Sequence, residues 1–363
     1  METAEMRPLK VLVVDDSAFS RQTIKRILEE KAGVQVVGIA TDGIDAISKT
    51  LRLRPDLITL DLEMPEMDGF SFLRWLMRER PTPVLMVSSY ADTKTVFRAL
   101  ELGAVDFIAK PTRRASAELR SIERDLLEKV EAARRLNLDV LSRNLRLLSS
   151  PGPALAAPRG AARDVEAVVI GASTGGPQAL QIILTKLPED YPAAVLVSQH
   201  MPKGFTGPLA ERLNRMAKVH IKEAQDGDPV VPGRVLICPG GSHMLLRRRG
   251  SKVRVALREP GPKDKYVPSV DALMRSAAEL YGRRAVGVLL TGMGSDGRQG
   301  MLEIKARGGY TIAESEQSAV VFGMPQEAIN AGAAAAVLAL PDIPAELLRV
   351  ARGGMEGWNG TPA

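Results

Sequence analysis

The chain has 363 residues, 45% hydrophobic and 25% charged, with a formal net charge of +6, which leaves room for two globular domains with a core each. The opening METAEMRPLK has no signal-peptide core, no stretch is apolar for long enough to span a bilayer, and one cysteine, Cys238, excludes an intrachain disulfide; a cytoplasmic protein without membrane insertion is expected. The charge is net −2 over residues 1–112 and +8 over the rest, but the basic residues are scattered, without aromatic interleaving or zinc-ligand spacing, and read as a solvated face, not a nucleic-acid site.

Strand-like and helix-like segments alternate from Lys10 to about Thr112. KVLVVDD is a short apolar run ending in acids, and SAFSRQTIKRILEE has helical spacing, with Phe19, Ile24 and Leu28 near one face. VQVVGIA, LITLDLEMP, TPVLMVSSY and AVDFIAKP follow as strands, so residues 9–130 read as a doubly wound α/β domain with a parallel sheet. Ala115 to about Leu148 reads as helix, whose later part enters a connection over residues 131–165. That connection ends in SSPGPALAAPRGAARD, a linker without period. A second alternation starts at Val165 and marks a second α/β domain, residues 166–348. Within it, residues 233–257 read as two strands around a turn, an antiparallel hairpin inserted in a parallel fold. GGMEGWNGTPA gives residues 349–363 the look of a disordered tail.

Chemistry gathers at strand ends. Asp15 and Asp16 end the first strand and Asp61 ends the third. Strand carboxyl ends share one edge of an open parallel sheet, so the three carboxylates need a cation, and hard oxygens suit Mg²⁺. Ser88 ends the fourth strand with a hydroxyl, and Lys110 ends the fifth with an ammonium. A carboxylate so surrounded is a competent acceptor for a phosphoryl group. Any one of these three acids alone would read as a helix cap; all three at strand ends together with Ser88 and Lys110 do not.

VLVVDDS, DLEMPEMDG, VSS and AKP resemble the receiver domain of bacterial response regulators, which is flavodoxin-like. The resemblance implies Asp61 as phosphoacceptor. It implies Asp15, Asp16 and Asp61 as Mg²⁺ ligands with the backbone carbonyl of Glu63, Ser88 and Lys110 as phosphoryl contacts, and Phe107 as the aromatic switch. Phe107 stands where many receivers have tyrosine, so its switching rests on packing alone.

In the second domain VVIGASTGGPQAL breaks from a strand into a glycine-rich turn. A dinucleotide loop fails because Ser173 occupies the middle glycine, and a P-loop fails because Gly176 precedes Pro177. Gly171-x-Ser173-x-Gly175 does match the nucleophile-elbow pattern. Of three histidines, His220 lies inside a strand and reads as structural, and His243 sits in the hairpin turn PGGSHM and reads as turn-stabilising. His200 follows the strand AAVLVSQ at the edge that holds Ser173 and is the best base. Asp296 is the only carboxylate of the glycine-rich loop in AVGVLLTGMGSDG, and so the candidate to orient that base. The loop's backbone N–H groups are free to face an oxyanion.

GASTGGP, SQHMPKGF, CPGGSHM, PSVDALM, LTGMGSDG and ESEQSAVVFGMP resemble the catalytic domain of the CheB family, the chemotaxis protein-glutamate methylesterases/glutaminases. The resemblance implies a Rossmann-like hydrolytic domain with Ser173, His200 and Asp296 as its triad. Thr174 and Met293 would lie beside the reacting centre, the Met293 N–H as an oxyanion donor. It implies demethylation of glutamate γ-methyl esters and deamidation of glutamines on methyl-accepting chemoreceptors, with no cofactor for ester hydrolysis. A chemotaxis histidine kinase would be the phosphodonor, and the unphosphorylated state would be inhibited. Lys203 and Arg212 are candidates to contact an acidic receptor helix. The competing readings are a non-catalytic phosphorylation switch and a transcriptional regulator. The first does not need the serine, histidine and aspartate, and the second needs a short helix-turn-helix where an α/β domain stands.

Overall fold

The computed structural model describes residues 7–31, 33–88, 93–110, 116–149 and 165–352. The chain divides into two units, residues 1–142 and 143–363. The first runs β1 (Leu9–Val14), α1 (Ala18–Glu29), β2 (Val34–Ala40), α2 (Gly43–Leu53), β3 (Leu57–Asp61), α3 (Gly69–Glu79), β4 (Val84–Ser88), α4 (Thr93–Glu101), β5 (Asp106–Ala109) and α5 (Ser116–Ala133). Its strands form one parallel sheet in the order β2-β1-β3-β4-β5. The central strands are near-continuous apolar runs because both sheet faces are covered: Val11 to Val14 and Leu57 to Leu60 are buried. Helices begin at side-chain acceptors: Ser20 N–H donates to Ser17 Oγ, Ile44 and Asp45 N–H to Asp42, and Ser71 N–H to Asp68. Strand order reverses between β1 and β3, so the crevice opens at their carboxyl ends. Gly69 starts α3 against that edge, where a Cβ would lie 2.3 Å from the Asp61 carbonyl oxygen.

The helix expected over 115–148 is two helices. α6 (Leu138–Ser149) restarts after Asn137, whose Oδ1 accepts the Asp139 and Val140 N–H groups. From Arg143 onward α6 belongs with the second unit, and Asn144 Nδ2 donates to the Ser318 carbonyl at 3.0 Å. The Pro/Gly/Ala-rich part of the expected linker, residues 150–164, lies outside the described residues.

The second unit continues with β6 (Ala167–Ala172), α7 (Gly176–Leu184), β7 (Ala194–Gln199), α8 (Thr206–Met216), β8 (His220–Glu223), β9 (Arg234–Ile237), β10 (His243–Arg249) and β11 (Lys252–Arg258). Then come α9 (Val270–Tyr281), β12 (Ala285–Leu289), α10 (Arg298–Ala306), β13 (Tyr310–Glu314), α11 (Met324–Asn330), β14 (Ala336–Leu338) and α12 (Ile343–Ala351). Seven parallel strands are ordered β14-β13-β12-β6-β7-β9-β8, with β10 and β11 as a separate antiparallel pair. The hairpin is shorter than expected. Val235, Leu236 and Ile237 are all buried, as in a strand covered on both faces, and β9 pairs in parallel with β7 and β8. The antiparallel pair starts only at His243, opposite Arg258. α9 packs between sheet and hairpin: Leu273, Met274 and Ala277 share a core with Ala167 and Val169 on one side and Leu246 and Val255 on the other. α12 runs to Ala351, past the expected start of the tail at residue 349; the rest of that expected tail, residues 353–363, lies outside the described residues. Order reverses between β6 and β12, which places this unit's crevice at their carboxyl ends.

Candidate active site and phosphoacceptor site

Ser173 follows β6 in the turn that opens α7. The turn's left-handed residue is Gly175, at φ +79°. Ser173 itself has an ordinary negative φ, so the match to the nucleophile-elbow pattern is one of sequence, without strain at the serine. Its backbone is tied on both sides. The Ser173 N–H donates to the Thr291 carbonyl at 3.0 Å, and its own carbonyl accepts from the Gly176 N–H at 2.7 Å and from Gln199 Nε2 at 2.9 Å. The His200 N–H donates to the Ala172 carbonyl at 2.9 Å, so serine and histidine leave one sheet edge side by side. Their side chains share no hydrogen bond among the described residues.

His200 Nε2 lies 2.8 Å from Asp296 Oδ2. Asp296 is buried at the amino end of α9, where its oxygens accept the N–H groups of Val270 at 2.7 Å and Asp271 at 2.9 Å and the Ser269 hydroxyl at 3.2 Å. Burial pushes its carboxyl up, but the hydrogen bond and charge of His200 and the two N–H groups outweigh this and hold it below its ordinary value. An ionised Asp296 accepts from Nε2, so the imidazole proton sits on Nε2 and Nδ1 carries the free lone pair. The Tyr266 ring stacks on His200, centroids 5.2 Å apart and planes within 3°.

The loop after β12 is pinned beside Ser173. Thr291 Oγ1 donates to the Thr174 carbonyl at 2.9 Å, and the Gly292 carbonyl accepts from the Met324 N–H at 2.8 Å. Gly294 takes φ +95°, with Tyr266 in the space a Cβ would fill. Among the described residues no group accepts the Met293 N–H. Behind the loop, fully buried Glu314 accepts the Thr291 N–H at 2.7 Å and the Ser318 hydroxyl at 3.0 Å. Burial pushes its carboxyl up to about 7 against those two hydrogen bonds.

In the first unit Asp15, Asp16 and Asp61 offer carboxylate oxygens within 4.8 Å of one another. Lys110 Nζ lies 2.5 Å from Asp61, 3.5 Å from Asp15 and 3.8 Å from Asp16. Burial raises the Asp61 carboxyl to about 6 in spite of Lys110. The three carboxylates, two buried and Asp16 exposed, are hard oxygen donors that fit a divalent cation. Ser88 ends β4 as expected. The Phe107 ring is buried, and Lys129 Nζ sits 5.0 Å over it, bonded to the Phe107 carbonyl and paired with Asp106 at 3.2 Å.

Sequence reasoning missed Tyr266, Ser269, Thr291, Glu314 and Lys129. Only Ser269 carried a local signal, as the residue before the helix in PSVDALM. His220 is exposed at the start of β8. His243 is not in a turn: it is buried as the first residue of β10, and its Nδ1 accepts the Ser269 N–H at 3.1 Å.

Two doubly wound sheets, one with acids and a lysine at its switch point and the other with serine, histidine and aspartate, define a receiver-type unit joined to a hydrolase-type unit. The chain matches the response regulator receiver domain over residues 11–121 and the CheB methylesterase family over residues 168–347. It is 50% identical over 363 residues to protein-glutamate methylesterase/protein-glutamine glutaminase 3 of Geobacter sulfurreducens, across 95% of this chain and 98% of that one. To protein-glutamate methylesterase/protein-glutamine glutaminase 1 of Myxococcus xanthus it is 46% identical over 349 residues, across 95% and 97%. The crystal structure of the Thermotoga maritima CheB methylesterase catalytic domain is similar with a TM-score of 0.50 and 42% identity, over 53% of this chain and 100% of that one. The chain belongs to the CheB family of protein-glutamate methylesterases/protein-glutamine glutaminases, with a receiver domain ahead of the catalytic domain.

Proposed function

We propose that the chain hydrolyses glutamate γ-methyl esters, and deamidates glutamines, on chemoreceptors through Ser173, His200 and Asp296, under control of phosphorylation at Asp61. The contact that carries this reading is His200 Nε2 on Asp296 Oδ2 at 2.8 Å. With the proton held on Nε2, His200 Nδ1 is the base that takes the Ser173 proton as Oγ attacks the ester carbonyl. The developing oxyanion takes the Met293 N–H, with Thr174 beside it. The C–O bond to the methoxy group then breaks, and the imidazolium returns its proton to the departing methanol. Water, deprotonated by His200, attacks the glutamyl-serine ester; the acyl C–Oγ bond breaks, the imidazolium returns its proton to Ser173 Oγ, and the glutamic acid formed loses its proton to solvent as the carboxylate. With glutamine the leaving group is ammonia. No metal or cofactor enters these steps.

In the receiver, Asp15, Asp16 and Asp61, with the Glu63 carbonyl, would hold Mg²⁺, which neutralises charge between the acceptor carboxylate and the incoming phosphoryl group. Lys110 already sits on Asp61, and with Ser88 it would take the phosphoryl oxygens. Repacking of Phe107 would pass the change on. A chemotaxis histidine kinase is the proposed phosphodonor and the cytoplasm the proposed compartment; no helix among the described residues is long and apolar enough to cross a membrane.

Methanol release from methylated receptor tests the catalytic reading. Ser173→Ala and His200→Ala each remove most of the activity, and the double variant is little worse than either, because triad members act as a unit. Near wild-type turnover in Ser173→Ala overturns it.

A further inference from the structure

A second histidine–carboxylate pair lies behind the first. His243 Nδ1 accepts the Ser269 N–H at 3.1 Å, so its proton is on Nε2, which donates to Asp264 Oδ2 at 2.9 Å. Asp264 Oδ2 also accepts from the Gly261 N–H at 2.8 Å and from Arg258 at 3.1 Å. The Gly261 N–H, with His243 and Arg258 beside it, holds this carboxyl below its ordinary value, so it stays an acceptor for all three donors. His243 and Arg258 are opposite each other at the base of the hairpin, so the hairpin grips Asp264 from both its strands.

Two connections lead from this grip to His200. Ser269, held by His243 through its N–H, uses its hydroxyl to donate to Asp296 and to accept the Ala272 N–H that starts α9. The helix end so fixed presents the Val270 and Asp271 N–H groups to Asp296. The segment held by Asp264 also carries Tyr266, two residues on, whose ring covers His200. The general base is thus gripped at its Nε2 and on its face by elements that meet at one buried imidazole.

We infer that His243 and Asp264 form a clamp that positions the catalytic base His200, through Ser269 and Asp296 on one side and through Tyr266 on the other. Both are positioning residues: buried His243 acts through Ser269, and Asp264 acts through His243 and the segment that carries Tyr266. The inference rests on the esterase reading of Ser173, His200 and Asp296.

The test uses the full-length chain carrying Asp264→Ala, Asp264→Asn or His243→Ala, assayed by methanol release from methylated receptor. Asp264→Ala and His243→Ala lower kcat by roughly ten- to hundredfold, the scale of a catalytic group displaced by about 1 Å, with KM within about twofold. The downfield proton resonance of the His200 Nε2–H on Asp296 broadens in both. Asp264→Asn keeps an oxygen for the three donors and restores most of the kcat lost in Asp264→Ala. Asp264 is partly exposed, so its variants carry the test if His243→Ala does not fold. A folded Asp264→Ala enzyme with kcat within about twofold of wild type, a loss in KM alone, or an Asp264→Asn variant as impaired as Asp264→Ala overturns the clamp. An inactive wild-type chain overturns the esterase reading instead.

Discussion

Asp271 and Asp296 cap each other's helices. Asp296, just before α10, accepts the first N–H groups of α9; Asp271, in the first turn of α9, accepts the Gly297 N–H at 3.0 Å and the Gly300 N–H at 2.7 Å at the start of α10. Each acid answers the orphan donors of the other's helix. The carboxylate hydrogen-bonded to His200 is therefore fixed by the same exchange that joins two helices beside the crevice.

Removing one half of this exchange has two readouts. Asp271→Ala strands the Gly297 and Gly300 N–H groups and should lower stability by about 1–2 kcal/mol, the scale of a lost helix cap. It also loosens the loop that holds Asp296, so methanol release should fall more than stability alone explains. Denaturant midpoints and turnover of the folded variant, measured together, check both. Unchanged turnover would separate Asp271 from the placement of Asp296.

Glu314 gives stability a pH dependence. Its folded pKa of about 7 lies above the ordinary 4.5, so the folded state binds its proton more tightly than the unfolded one. The contribution is complete below about 4.5 and is lost as pH rises to about 7, about 3 kcal/mol in total. Glu314→Gln keeps an oxygen for the Thr291 N–H and an amide donor for Ser318, but has no charge to bury. From about pH 5 to about pH 8.5 the wild type should lose roughly 2 kcal/mol more than the variant. Urea titrations at a series of pH values measure the difference, and parallel pH curves would refute it.

Phosphorylation separates two roles in the receiver. Asp61→Asn should abolish Mg²⁺-dependent labelling by a small phosphodonor. Lys110→Ala should still accept phosphate while coupling it poorly to methanol release. Label on another residue of the wild type would show the acceptor assignment to be wrong.

Regulation is tested by cutting the chain. Removing the first unit, residues 1–142, should raise basal esterase activity and abolish the response to phosphodonor. A homologous catalytic domain has been crystallised by itself, which makes the truncation practical. A folded truncation no more active than the unphosphorylated full chain means that the receiver acts by bringing enzyme to substrate.

Much of both sites was legible because a parallel sheet sends its strand carboxyl ends to one edge. With the apolar runs read as strands, Asp15, Asp61, Lys110, Ser173 and His200 fall at strand carboxyl ends, and Asp296 lies in a second glycine-rich loop that follows a strand. The hairpin was misjudged at Arg234–Ile237 because a short apolar run has no period that tells a parallel strand from an antiparallel one.

What the sequence determined by itself was therefore the two parallel sheets and the residues that end their strands, since these follow from hydrophobic pattern; the strand orders that set the switch points came from the fold. Tertiary structure alone decided how those residues are held. Asp296 meets the α9 donors across 25 and 26 positions, His243 meets Ser269 across 26, and Thr291 meets Thr174 across 117. No spacing rule records such pairs. α9 carries its own capping serine, Ser269, yet no spacing tells that Asp296 takes its first N–H groups, and a carboxylate such as Glu314 reads as surface until the fold buries it.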